Sequence, residues 1–327
     1  MKVAVTGANG LVGVNLIRRL LEQGDSVKAL IHHRPCVLSG FEMEIIKGDI
    51  MNDDILTHLF SDVDVVFHAA AKISIGNTLY EELYKTNVEG TKKAFTIAKQ
   101  QGVKTFIHFS SIHAMRQPSG SKPFSEACSL ALNSPFNYEK TKALAQQWLQ
   151  NQKGNGMKVV ILNPTAIIGP YDFKPSLVGE FLIKTVNHQL PGIIEGGYDW
   201  VDVRDVAQAA IAAIEKGKDG EHYILSGKWL SLEEITQLME NVLGEKIKPF
   251  VFPMWLAKTG LPFLSLWAKA TRSKPLYTSE SLKILQLSSR TITSEKAKRT
   301  LGYSPRIVDQ TIKDTMVWFN ENGFIQF

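Results

Sequence analysis

Cysteine is nearly absent: Cys36 and Cys128 are the only two in 327 residues. They lie far apart and neither sits in a metal-ligand spacing. That argues against a disulfide framework or a zinc site, so no metal is expected, and it fits a reducing compartment. Long uncharged apolar runs are missing as well. The most hydrophobic stretch, from Pro249 to Trp267, is broken by Lys258, Gly260 and Pro262, which speaks against a membrane span. It reads as lobe core, as a lid over an apolar substrate, or as a helix resting weakly on a lipid surface. Met1-Lys2 runs straight into a strand pattern with no basic and then apolar leader, so a cytoplasmic protein is expected. Repeats and low-complexity linkers are also lacking. Charge of one sign does not dominate: a net charge of +5 describes a solvated, mildly basic surface, and no nucleic-acid partner is expected.

What remains is an ordinary globular composition, 44% hydrophobic and 21% charged, on a chain long enough for a sizeable core. Short continuous apolar runs alternate with helical patterns. The runs are Lys2–Thr6, Ser26–Ile31, Glu44–Lys47, Val63–Phe67, Thr105–Phe109 and Lys158–Leu162. Such runs suit a parallel sheet covered on both faces, with a ligand at the carboxyl ends of the strands. A long helical pattern spans about Thr78 to Gln101. Beyond Pro170 the alternation breaks into helix candidates, with one further strand at Glu221–Leu225. The expectation is an α/β protein: a Rossmann-type doubly wound parallel sheet over residues 1–170, with 197–226 returning to it. A smaller, mostly helical substrate lobe covers 171–327.

Gly7, Gly10 and Gly13 follow the first strand and open the first helix. A glycine turn there lets the backbone approach a pyrophosphate, and the helix start supplies free N–H groups. Gly7, Asn9, Gly10, Leu11 and Val12 are therefore candidate cofactor contacts. Asp49, followed by Ile50, is placed to accept from an adenine amino group, or else to cap the helix that follows. Ala69, Ala70 and Ala71 offer a surface of little bulk for a flat cofactor. The second strand ends in His32-His33-Arg34, without an acid. Arg34, helped by His32, favours the 2′-phosphate of NADP(H), while NAD(H) stays open and the two could also be plain loop residues.

The segment from Pro135 to Trp148 reads as a helix, its interior rich in good helix formers. Tyr138 and Lys142 are one turn apart on one face. A lysine beside a tyrosine stabilises the phenolate, so a lowered Tyr138 pKa is expected.

With Thr6-Gly-x-x-Gly-x-x-Gly13, Gly48-Asp49-Ile50, His68-Ala-Ala-Ala71, Asn87-Val-Glu-Gly90, Ser110-Ser111 and Tyr138-x-x-x-Lys142 in this order, the chain resembles the extended short-chain dehydrogenase/reductases of the epimerase/dehydratase superfamily. It is most similar to their dihydroflavonol 4-reductase and 3β-hydroxysteroid dehydrogenase-like branch, as Asn163-Pro-Thr165, Gly169-Pro170 and Leu301-Gly-Tyr-x-Pro305 also suggest. The resemblance implies hydride transfer between NAD(P)(H) and a carbonyl or secondary alcohol. Tyr138 would be the proton donor and acceptor, Ser111 rather than Ser110 would orient the carbonyl, and Lys142 would bind the nicotinamide ribose. Pro164 and Thr165 would flank the nicotinamide, and Asn87 would brace the backbone behind the site. Ile112-His113 stands where the dehydratases carry an acidic pair. The segments Pro170–Lys174 and Gly197–Trp200 are aromatic where epimerases carry arginines. An apolar substrate is therefore expected. A nucleotide-sugar epimerase and a non-catalytic dinucleotide sensor are the alternatives, and a homodimer is implied by analogy.

Overall fold

The computed structural model describes residues 1–32, 37–38, 40–74, 78–118, 122–247, 249–259 and 279–327. Twelve short strands are formed among the described residues. They are β1 (Lys2–Thr6), β2 (Ser26–Ile31), β3 (Glu44–Lys47), β4 (Val65–His68), β5 (Thr105–Phe109), β6 (Lys158–Pro164), β7 (Ala166–Ile168), β8 (Ile193–Ile194), β9 (Gly197–Asp202), β10 (Glu221–Leu225), β11 (Lys228–Ser231) and β12 (Val251–Phe252). Seven of them form one parallel sheet in the order β10-β6-β5-β4-β1-β2-β3. Chain order reverses between β1 and β4, which opens the crevice where this topology binds ligands.

Alternate residues of the strands feed two cores, one on each face. Val3, Val5, Ile107 and Leu162 pack against helices α1 (Leu11–Glu22) and α7 (Val203–Lys216). Ala4, Val66, Phe106 and Ile161 pack against α2 (Asp53–Phe60), α4 (Gly90–Gln100) and α5 (Asn137–Gln150). Burial on both faces is why these strands read as continuous apolar runs and not as alternating ones.

The long helical pattern near residue 90 is realised in three pieces: α3 (Tyr80–Tyr84), a π-helical turn at Lys85–Glu89, and α4. The return to the sheet is made by α7 and β10. Strand β9, just before them, pairs instead with β11 and β7 in a separate three-stranded sheet. The lobe thus holds more strand than the single one expected beyond Pro170, since β8 and β12 form a further pair. Strands β8, β11 and β12, of two to four residues, are too short to show a period in sequence. Helices α6 (Leu177–Val186) and α8 (Leu232–Leu243) and the helix Val308–Glu321 gather a third core around Trp200, Met239, Ile312 and Phe319. Of the apolar stretch 249–267, residues 260–267 lie outside the described residues. Trp255 and Phe250 are exposed, whereas Met254 packs against the lobe core. Among the described residues no helix is long and apolar enough to cross a membrane.

Candidate active site

The glycine turn meets β4 at the crevice. Gly7 has φ +72°, and a Cβ there would stand 2.7 Å from the Ala69 carbonyl and the Ala70 nitrogen. Only glycine fits, both for its backbone conformation and for the space. A Cβ at Gly13 would run into the Gly7 carbonyl oxygen. Gly10 is the N-cap of α1 and makes no side-chain cap to its first N–H groups. Asn9, Leu11 and Val12 sit on this rim, and Ala69, Ala70 and Ala71 are all part-buried opposite it. A glycine turn at a helix start and a low-bulk wall fit a dinucleotide pyrophosphate.

Past the ends of β2 and β3, Asp49 Oδ1 accepts from Met51 N at 2.9 Å and Oδ2 lies 3.3 Å from His32 Nε2. The backbone bond from Met51 first, and His32 after it, hold the Asp49 carboxyl below its ordinary range. Asp49 does not cap α2; Asn52 does, accepting from Ile55 N at 3.1 Å. Ile50 is buried in the core beneath α2 and α4. Arg34 lies outside the described residues.

Helix α5 presents Tyr138, Lys142 and Gln146 on one buried face. Tyr138 is 8% exposed, and Ser111 is the polar side chain that acts on its phenol. Burial pushes it up to about 12, with the Ser111 hydroxyl drawing it down. Lys142 is 3% exposed and donates to the Phe109 carbonyl at 2.8 Å; burial lowers it to about 8. The expected depression of Tyr138 by Lys142 is therefore not present in this structure. Desolvation is the larger force on both groups, and the ammonium is engaged by a carbonyl.

Ser110 and Ser111 face different partners. Ser110 Oγ donates to Gln146 Oε1 at 2.7 Å, behind the site. Asn163 Nδ2 bridges Gln146 Oε1 at 2.8 Å and the Ser111 carbonyl at 2.7 Å, fixing the turn that aims Ser111 at Tyr138. Sequence reasoning missed Gln146 and Asn163 as supports. Gln146 was legible in principle, standing one turn after Lys142 on the same face.

Asn87 lies in the π-turn. It accepts from Lys72 N at 2.8 Å, and its Nδ2 lies within reach of Lys72 O and of Thr141 Oγ1. A buried chain continues from Asn87 O to Thr91, His68, Thr6 and the Ala70 N–H, each link between 2.7 and 3.2 Å. Burial lowers His68 to about 3, so it is a neutral relay of hydrogen bonds. The chain ties the glycine-turn strand to the helix behind Tyr138. Pro164 ends β6, paired with Leu225. Thr165 turns its hydroxyl onto Asp199 Oδ1 at 2.6 Å, toward the small sheet. Among the described residues no cluster of histidine, cysteine or acidic residues could hold a metal.

A parallel sheet with a glycine-turn crevice, and a Ser–Tyr–Lys set on the adjoining helix, define a dinucleotide-binding enzyme. The model of the NAD dependent epimerase/dehydratase family matches residues 3–226, and the chain belongs to that family. It is 31% identical to sterol demethylase protein B of Methylococcus capsulatus, over 99% of this chain and 100% of that one. A putative dihydroflavonol 4-reductase of Synechocystis is 30% identical over 98% and 95%. A 3-beta-hydroxysteroid dehydrogenase of Mycolicibacterium neoaurum is 25% identical over 98% and 92%. Among solved structures, that of gox2253 superposes with a TM-score of 0.85, at 28% identity and 99% coverage of both chains. Its relatives include proteins named as reductases and dehydrogenases, and the chain is an NAD(P)-dependent oxidoreductase of this family.

Proposed function

We propose that the protein reduces a ketone on a largely apolar molecule, or oxidises the matching secondary alcohol, with NADP(H) preferred. The observation that carries the reading is the buried Ser111–Tyr138 pair beside Lys142, at the carboxyl edge of the sheet that holds the glycine turn. Bound in that crevice, the cofactor supplies the hydride chemistry. Ser111 holds the substrate oxygen, and Tyr138 gives it a proton in reduction and takes one in oxidation. With Tyr138 held up to about 12 the phenol is protonated at neutrality, the state reduction requires. Lys142 holds the ribose hydroxyls.

Support for an apolar substrate comes from the lobe. Tyr171 and Phe173 pack with Trp318, and Tyr198 with Trp200, in the segments where a diphosphate would need arginines. The names of the dihydroflavonol reductase and hydroxysteroid dehydrogenase relatives agree with it. Preference for NADP(H) rests on Arg34 in the sequence and on His32, whose ring lies 3.3 Å from Asp49 Oδ2.

The test is NADPH and NADH oxidation across aromatic, steroid-like and small aliphatic ketones, beside Tyr138→Phe. Turnover favouring NADPH, with kcat/KM lower by about 10²–10⁴-fold in the variant, is expected. Full activity in Tyr138→Phe would place the chemistry elsewhere. No turnover with any ketone would overturn the reductase reading.

A further inference from the structure

Asparagine followed by glycine occurs three times in the chain, at Asn9-Gly10, Asn155-Gly156 and Asn322-Gly323. In such a pair the glycine nitrogen can attack the asparagine carboxamide, because no side chain on the glycine obstructs the approach. The attack needs an amide nitrogen free of other bonds and a carboxamide able to turn toward it. The fold meets these two conditions unequally.

At the first pair, the Gly10 N–H is engaged by the Gly7 carbonyl at 3.0 Å, and the Asn9 side-chain oxygen is buried. Asn322 is exposed, yet its Nδ2 donates to the Trp318 carbonyl at 2.8 Å and Gly323 N donates to Asn320 O at 3.1 Å. Nucleophile and carboxamide are both held there. Asn155 and Gly156 lie in the exposed turn between α5 and β6. The Gly156 N–H has no hydrogen-bond partner among the described residues, and the space where a side chain would stand is open. The Asn155 carboxamide donates to Gln152 Oε1 at 3.1 Å, a solvent-exposed bond that water readily replaces.

We infer that Asn155 is a site of spontaneous covalent modification, by deamidation through its own backbone. The Gly156 nitrogen loses its proton to hydroxide and attacks Cγ of Asn155. Nδ2 leaves as ammonia, taking a proton from water, and a cyclic succinimide remains. Water then opens the ring at either carbonyl. Cleavage of the new Cγ–N bond gives aspartate, and cleavage of the original peptide C–N bond gives isoaspartate, with the chain running through Cγ. Water is consumed and ammonia released, with no change of oxidation state. Either product places a carboxylate in a turn that Asp219 already holds, accepting from Gly154 N at 2.8 Å and from Val159 N at 2.9 Å. Isoaspartate also inserts a main-chain carbon between those two anchors. The turn joins the helix that carries Tyr138 and Lys142 to strand β6, so the mark falls behind the site and is independent of the reductase reading.

The experiment incubates the purified chain in mildly acidic and in mildly alkaline buffer, as wild type and as Asn155→Gln. Isoelectric focusing and peptide mass mapping follow it, with Asn155→Asp marking the charge of the product. In wild type an acidic band should accumulate at the Asn155→Asp position, faster in alkaline buffer, and it should be missing from Asn155→Gln. The Asn155 peptide should convert roughly tenfold faster than the Asn322 peptide, whose nucleophile and carboxamide each carry a backbone-anchored hydrogen bond. In urea strong enough to unfold the chain, that difference should shrink several-fold. Absence of the acidic band overturns the proposal, as does conversion of Asn9 or Asn322 as fast as Asn155 in the folded protein. A difference that persists unchanged in urea overturns it too, since sequence and not fold would then set the order.

Discussion

Lys142 keeps an ammonium where water does not reach, and one carbonyl of Phe109 is its hydrogen-bond partner. The fold is therefore less stable for carrying it. Its pKa, lowered from the ordinary 10.5 to about 8 by burial, gives the sign. Below pH 8 the charged form is held in both states and the full penalty applies. Between 8 and 10.5 the folded chain releases its proton before the unfolded one, so wild-type stability rises with pH. Lys142→Met, similar in length and uncharged, should abolish turnover and yet raise stability by about 1–3 kcal/mol at pH 7. The gain should fade as pH climbs from 8 to 10.5. Urea unfolding at several pH values reads both features, and a variant less stable than wild type at pH 7 would refute the account. Proximity of Tyr138 and Lys142 was legible from their spacing. Their titration was not, because burial and the engagement of Nζ by a carbonyl from another strand are properties of the packed molecule.

Elements rather than residues decide the shape of the cofactor crevice. The turn between β1 and α1 passes so close to β4 that the Ala69–Ala70 peptide occupies the space a Gly7 side chain would need. Gly7→Ala adds both the contact and the strain of a positive φ, each costing about 1–3 kcal/mol. Dinucleotide affinity should fall at least tenfold, with a clear drop in melting temperature, as calorimetry would report. Unchanged affinity would mean that the turn can open without cost. The glycines, the strand ends and the Tyr138 helix could be read from sequence because each carries a local signature. The π-turn at Lys85–Glu89 carries none. A π-turn inserts one residue into a helix, and here it turns Asn87 inward, toward Lys72 and Thr141. Asn87 was expected to brace backbone behind the site, and Lys72 is that backbone. The helical interruption that lets it do so became visible only in three dimensions.

At the scale of the whole molecule, the lobe is joined to the sheet domain by charge as well as by apolar contact. Asp202 caps α7 and is buried, with Arg204 bonding both of its oxygens. The same guanidinium reaches Asp314 on the helix Val308–Glu321, at 2.6 Å. Arg306 bonds Asp205 at 2.9 Å and lies 3.9 Å from Asp202. Two arginines thus share three acids across the seam between α7 and the C-terminal helices. No local pattern in Val201-Asp-Val-Arg-Asp205 announces this bridge, because Asp314 and Arg306 come 110 and 101 residues after Arg204 and Asp205. Arg204 is 27% exposed, so its pairs are only partly desolvated. Arg204→Met strands Asp202 with the distant Arg306 alone and should cost about 2–4 kcal/mol in urea unfolding. Much of that cost is the buried charge left behind and not the lost bond. Adding Asp202→Asn keeps the helix cap and removes that charge, so the double variant should be more stable than Arg204→Met. If the double variant is instead the weaker of the two, the seam is held by the cap and by packing, and the arginine bridge contributes little.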